Sequence, residues 1–141
     1  MNSEVKEEKK ELEVEQVEKA EGASENLVQA EKTLEHFIEL LADINRQTME
    51  MLKSGDLSTL YEMNDTVEEF CRIQKGNKEN FYQGIEVEAQ IIYTNFDQLV
   101  TLANRVKQGK WTKKQSAVVL DCLENILAAD ITILKRYGLI N

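Results

Sequence analysis

Not one of the 141 residues is proline. At an ordinary usage of about 5% a chain of this length carries roughly seven, and proline's missing N–H and fixed φ make it the strongest local bar to continuous helix. Its absence, with charged residues at 30% and aromatic residues at 6%, predicts an all-α fold and excludes all-β and collagen-like classes. The length suits one domain with a respectable core.

The apolar period carries this further. Leu27, Ala30, Leu34, Phe37, Leu41, Ile44, Thr48 and Met51 follow one another at intervals of three and four, the seam of packed helices, and predict one helix over roughly 25–53. A second helix, over 58–75, presents Leu60, Met63, Val67 and Phe70, with Ser58 or Thr59 as its cap and Glu62 at capping-box spacing from Thr59. A third, over 81–108, aligns Ile85, Ala89, Ile92, Phe96, Leu99, Ala103 and Val106; Gly84 either delays its start or marks a close backbone approach. A fourth, over 112–137, opens on Thr112 and Gln115 at capping-box spacing. Its centre is Val119, Leu123, Ile126, Leu127, Ile133 and Leu134, widened by Val118, Leu120, Cys122 and Ile131. Gly55, Gly76, Gly109 and Gly138 mark the four helix ends, and Leu139 and Ile140 are placed to fold back after the last. Short joints between such helices predict an up-and-down four-helix bundle of two antiparallel helical hairpins.

Charge separates the N-terminus from the rest. Of the net charge of −9, residues 1–25 supply −5, with nine glutamates against four lysines. So much like charge with so little apolar surface predicts a disordered or fraying-helix tail over 1–25, ahead of a single helical domain over 26–141, with Ser24 as a cap between them. Val5, Leu12 and Val17 form only a weak stripe in the tail, one that a partner would order.

Two joints share one pattern. Leu52-Lys53-Ser54-Gly55-Asp56-Leu57-Ser58 and Val106-Lys107-Gln108-Gly109-Lys110-Trp111-Thr112 both run apolar, Lys, polar, Gly, charged, large apolar, hydroxyl. Turn chemistry accounts for the likeness, with internal duplication as the alternative.

Catalytic constellations are missing from the sequence. The one histidine, His36, lies nearly opposite the long seam, without a Glu three residues before it, so neither a dimetal bundle site nor a nucleophile–histidine pair can be assembled around it. Cys71 and Cys122 lack Cys-x-x-Cys spacing and are expected as free, half-buried thiols. No phosphate loop or dinucleotide fingerprint is present, and the expectation is a protein without enzyme activity, metal or cofactor. The acidic chain disfavours nucleic acid as a partner; Lys107, Lys110, Lys113 and Lys114 around Trp111 form the one basic cluster, suited to solubility or to an acidic partner. No apolar run approaches the roughly 20 residues of a membrane span, which gives the expectation of a soluble, cytoplasmic protein.

Surface for a partner is expected where apolar residues exceed what the neighbouring helices need. Val118, Leu120, Cys122 and Ile131 flank the fourth helix, Trp111 is either a staple over the helix ends or an exposed anchor, and Met49, Met51 and Met63 surround the first joint as adaptable contacts or core filling. Asp130 falls on the apolar side of the fourth helix, where it is expected to reach solvent at the rim or to pair with Arg105 or Arg136.

Residues 37–70, with Met49-Glu50-Met51-Leu52-Lys53-Ser54-Gly55-Asp56-Leu57-Ser58-Thr59-Leu60 and then Met63, resemble the first helical hairpin of the flagellar export chaperones that escort hook-filament junction proteins. The resemblance implies a cytoplasmic chaperone that binds a helical segment of an exported subunit and delivers it to the secretion apparatus. The residues themselves support a helical adaptor that binds a client helix in an apolar groove, with a structural or regulatory homo-oligomer, such as a homodimer, as the alternative.

Overall fold

A computed structural model describes the backbone of residues 2–106 and 111–141 and the side chains of residues 25–106 and 111–141. Among these residues the fold is all-α. Five helices follow in order: α1 (Asn2–Ser54), α2 (Leu60–Gly76), α3 (Asn80–Gln83), α4 (Glu86–Arg105) and α5 (Lys113–Arg136). The chain divides into two compact units, Met1–His36 and Phe37–Asn141.

In the first unit the backbone is helical from Asn2 onward, so the acidic segment is helix and Ser24, expected as a cap, lies inside it. The seam is exposed here: Leu27 is 68% exposed and its neighbour Val28 47%. Ala30 is exposed as well and Leu34 is half-buried.

The second unit holds the core. From Phe37 the same seam turns inward, and Phe37, Leu41, Ile44, Thr48 and Met51 are all buried. Phe37 stacks on Phe70 of α2 with ring centroids 4.9 Å apart and meets Tyr82 of α3 edge-on at 5.0 Å. Phe81 then stacks on Tyr137, just beyond α5, at 3.8 Å. Leu60, Met63, Val67 and Phe70 fill the inner face of α2 as their spacing requires; Ala89, Ile92, Phe96 and Leu99 do so for α4, and Leu123, Ile126, Ile133 and Leu134 for α5.

The predicted third helix is broken in two. At Gly84 the N–H donates to the Asn80 carbonyl at 2.8 Å and closes α3, and α4 starts only after Ile85. A Cβ on Gly84 would stand 2.9 Å from that carbonyl oxygen, tighter than real Cβ contacts allow. Arg136 donates to the Gly84 carbonyl and reaches Glu88 at 3.4 Å, while the Tyr137 hydroxyl donates to the Phe81 carbonyl. The end of α5 is thereby tied to the break.

Helix ends follow local chemistry with one exception. Gly55 takes φ 69° and donates to the Met51 carbonyl, ending α1; Gly138 takes φ 71° and, with Leu139 donating to the Leu134 carbonyl, makes a Schellman end for α5. Leu139 and Ile140 beyond it remain largely exposed. The Thr112–Gln115 capping box is present in both halves, at 2.9 and 3.1 Å. Gly76 is the last residue of α2, and Gly109 lies outside the described residues. The exception is α2, where neither Ser58 nor Thr59 caps: Thr59, at the cap position, has helical angles and its Oγ1 is buried without a partner, while in the turn before it Asp56 Oδ1 accepts the Ser58 N–H.

Phe37→Ala removes a ring that touches both α2 and α3 and is expected to cost about 3–5 kcal/mol in urea unfolding. A loss under about 1 kcal/mol would show that the aromatic cluster does not hold α1 in place.

Candidate functional site

The sequence puts a glycine and then a bulky apolar residue at each of two joints, and both bulky residues line one hollow. Leu57, following Gly55, and Trp111, preceding the α5 cap, face a cavity of about 170 Å³ completed by Met51 and Leu52 from α1 and by Ser116, Val119, Leu120 and Leu123 from α5. Each arrives for a local reason. The left-handed turn at Gly55 reverses the chain after Met51 and brings Leu57 back over the end of α1. The Thr112 capping box fixes the first turn of α5, and the helical spacing of Ser116, Val119, Leu120 and Leu123 sets them on one side. Leu120 remains 48% exposed at the edge.

The candidate contact residues therefore separate. Trp111, Leu120 and Met51 come together in the hollow. Val118 is part-buried against the core, and Met49 and Ile131 are half-buried elsewhere on their helices. Met51, Met63 and Cys122 are buried: the two methionines fill the core, Met51 beneath the hollow, and Cys122, expected half-buried, is 3% exposed because α5 turns it toward Gln98 of α4 at 3.5 Å. Leu52 and Leu57 are groove residues that apolar periodicity did not single out, the shared joint pattern being the signal for Leu57; Val119, placed by periodicity at the centre of the α5 face, lines the groove. Lys107 and Lys110, half of the basic cluster, lie outside the described residues.

The chemistry of the hollow is apolar, without a titratable side chain in its lining. A second, polar recess of about 280 Å³ lies between α2 and α4, where Cys71, Lys75, Glu86 and Tyr93 meet three glutamines. All three amides are already engaged: Gln74 donates to the Tyr82 carbonyl and Gln83 to the Gln74 carbonyl, each at 3.1 Å, and Gln90 donates to the Thr94 hydroxyl at 3.0 Å. Cys71 and Cys122 are free, and burial raises both thiols above their ordinary range, opposed at Cys71 by Lys75 and reinforced at Cys122 by Asp121. Such thiols favour the protonated, weakly nucleophilic form. Among the described residues no three His, Cys, Asp or Glu side chains gather as metal ligands.

Asp130 departs from both of its expected fates. It is 0% exposed, and neither carboxylate oxygen has a hydrogen-bond partner. Arg136 is committed to Gly84 and Glu88, so the expected pairing is not made. Burial pushes the Asp130 carboxyl up to about 7, with the Asn45 amide opposing the shift without closing a hydrogen bond. A shifted carboxyl is a common mark of a catalytic site, but Asp130 lines neither hollow.

No protein-family model matches the chain, no curated protein matches it and no solved structure matches its fold.

The Asp130 carboxyl gives stability a definite pH dependence. Below about pH 4 it is protonated in both folded and unfolded chains and costs little. As pH rises from the unfolded value of 3.8 to about 7, only the unfolded chain ionises, so stability falls across that window and levels off above it, by about 4 kcal/mol in all. Asp130→Asn is expected to abolish this component and, converging with the natural chain near pH 4, to be more stable than it by about 4 kcal/mol at pH 8. Urea unfolding at several pH values checks this; parallel curves for the two proteins would show the carboxyl to be paired or hydrated.

Proposed function

We propose that this chain is a non-enzymatic, cytoplasmic protein-interaction module of the adaptor or export-chaperone kind, which seats a partner helix on the hollow between the α1–α2 joint and α5. The observation that carries the reading is an apolar cavity open at the surface, bounded by Trp111 and the half-exposed Leu120. Its volume of about 170 Å³ falls below the 300 Å³ or more usual for small-molecule sites and suits a single large side chain. A helix presents such a side chain and lays its neighbours along the flank of α5, the common mode of helix-in-groove recognition. The end of α1, its joint with α2 and the first half of α5 supply the walls, within an up-and-down bundle of two hairpins in this reading. The resemblance of residues 37–70 to flagellar export chaperones makes a helical segment of an exported subunit a partner of the right kind.

The second reading, a structural or regulatory homo-oligomer, is favoured by the outward-facing seam of the first unit, where Leu27 and Val28 are exposed. Light scattering over a range of concentrations separates the two: a monomer supports the adaptor, and a stable dimer supports self-assembly.

Trp111 is the only tryptophan in the chain and reports on the hollow directly. A synthetic helical peptide with a leucine stripe and neutral glutamines elsewhere is expected to shift its emission saturably. Leu120→Asp should weaken that binding by more than about tenfold while moving the melting temperature by no more than about 2 °C, because the leucine is at the surface. Absence of any saturable shift in the natural protein would overturn the docking reading.

A further inference from the structure

Charge at the Trp111 end of the hollow differs from that of the chain as a whole. Lys53 occupies the last turn of α1, next to Leu52 of the lining; Lys113 and Lys114 open α5, immediately after Trp111 and its cap. All three are exposed, and none makes an ion pair among the described residues. The first turn of α5 contains no acidic residue, and its helix dipole adds positive potential at the same place. The acidic residue of this joint, Asp56, is turned to its own backbone, accepting the Ser58 N–H at 2.9 Å. The first acid of α5, Asp121, directly follows Leu120 and stands 8 residues from Lys113, about 12 Å at the helical rise, with Glu124 beyond it. In a protein of net charge −9 an apolar hollow with three ammonium groups at one end, none of them in an ion pair among the described residues, is an exception.

We propose that the helix seated in this hollow is acidic and amphipathic, with one large apolar side chain held among Leu57, Trp111 and Leu120 and its carboxylates directed to Lys53, Lys113 and Lys114. This rests on the docking reading above and adds the chemistry of the partner. The apolar contact supplies the anchor, and the lysines set which partners are accepted and in which direction they lie. The partner's acidic end points toward Trp111, because Asp121 and Glu124 of α5 repel carboxylates at the other end. A lysine-rich helix of the same apolar pattern would meet like charge at the basic end and is rejected there.

Two further leucine-striped peptides, one with glutamates and one with lysines in place of the glutamines, test the proposal on the full-length protein through Trp111 emission. The glutamate peptide is expected to bind at least about tenfold more tightly than the lysine peptide. Its affinity should fall several-fold as salt rises from about 0.05 to about 0.3 M, since the Debye length shrinks across that range. The double substitution Lys113→Glu, Lys114→Glu should erase or reverse the preference, and the salt series on the natural protein stands as evidence even where that variant fails to fold. Equal binding of the two charged peptides overturns the proposal while leaving the docking reading intact; stronger binding of the lysine peptide also overturns it. Failure of the neutral, glutamate and lysine peptides together removes both. Emission that depends on protein concentration alone, without peptide, assigns the hollow to a second copy of the chain and overturns an acidic partner.

Discussion

The stacking of Phe37 on Phe70, with Tyr82 edge-on to the same ring, fastens the inward-turned part of α1 to two other helices at once. Aromatic pairs add about 0.5–1.5 kcal/mol each beyond the area they bury, and they fill space that aliphatic side chains would leave empty. The break at Gly84 belongs to the same arrangement: it ends α3 after one turn, with Phe81 on Tyr137 and Tyr82 on Phe37. Burial raises the Tyr137 phenol well above its ordinary range, so its hydroxyl keeps the proton that it donates to the Phe81 carbonyl. This end of the second unit is held by rings, by Arg136 and Tyr137 at the end of α5, and by the Gln74 and Gln83 amides.

The other end is built from different material. Met51, Leu52, Leu57, Val119 and Leu123 converge there with Trp111 as the single ring, and Trp111 stands at the edge of the cavity rather than stacked within it. Met51 lies 14 residues from Phe37 on α1, about 21 Å along the axis, too far for the aromatic cluster to close this end as well. The hollow is thus a consequence of where the large side chains were placed. Rings concentrated at one end leave smaller ones to cover the joint.

Much of the fold was legible because its determinants are local. Thr112 and Gln115 make a capping box whatever surrounds them, and Gly55 and Gly138 adopt positive φ where no side chain could do so cheaply. The α2 cap misled for an equally local reason: Thr59 at the cap position has helical angles, φ −79° and ψ −2°, rather than the extended ones from which a cap hydroxyl reaches the next turn. What periodicity does not contain is the position of a neighbour. Leu27 and Phe37 belong to one seam, yet the first is exposed and the second buried, and nothing in their spacing distinguishes them. The same limit applies at the site. The apolar width of α5 was plain, but whether a flanking residue lands in the core, as Cys122 does, or at an open edge, as Leu120 does, depends on how closely α4 and the α1–α2 joint approach.

Asp130 and the hollow both depart from consistent packing, and natural proteins keep such departures mainly where something is gained from them. They differ in kind. The hollow lacks apolar covering, a defect that a partner can remedy from outside. Asp130 lacks hydrogen-bond partners in a fully enclosed place, which no docked helix can reach, and it stands 10 residues beyond Leu120, about 15 Å along α5. A ligand on the hollow adds its binding free energy to the folded state whatever the protonation of Asp130, unless α5 itself shifts. The carboxyl therefore sets the resting stability of the bundle and its response to pH, and the joint sets what the bundle recognises.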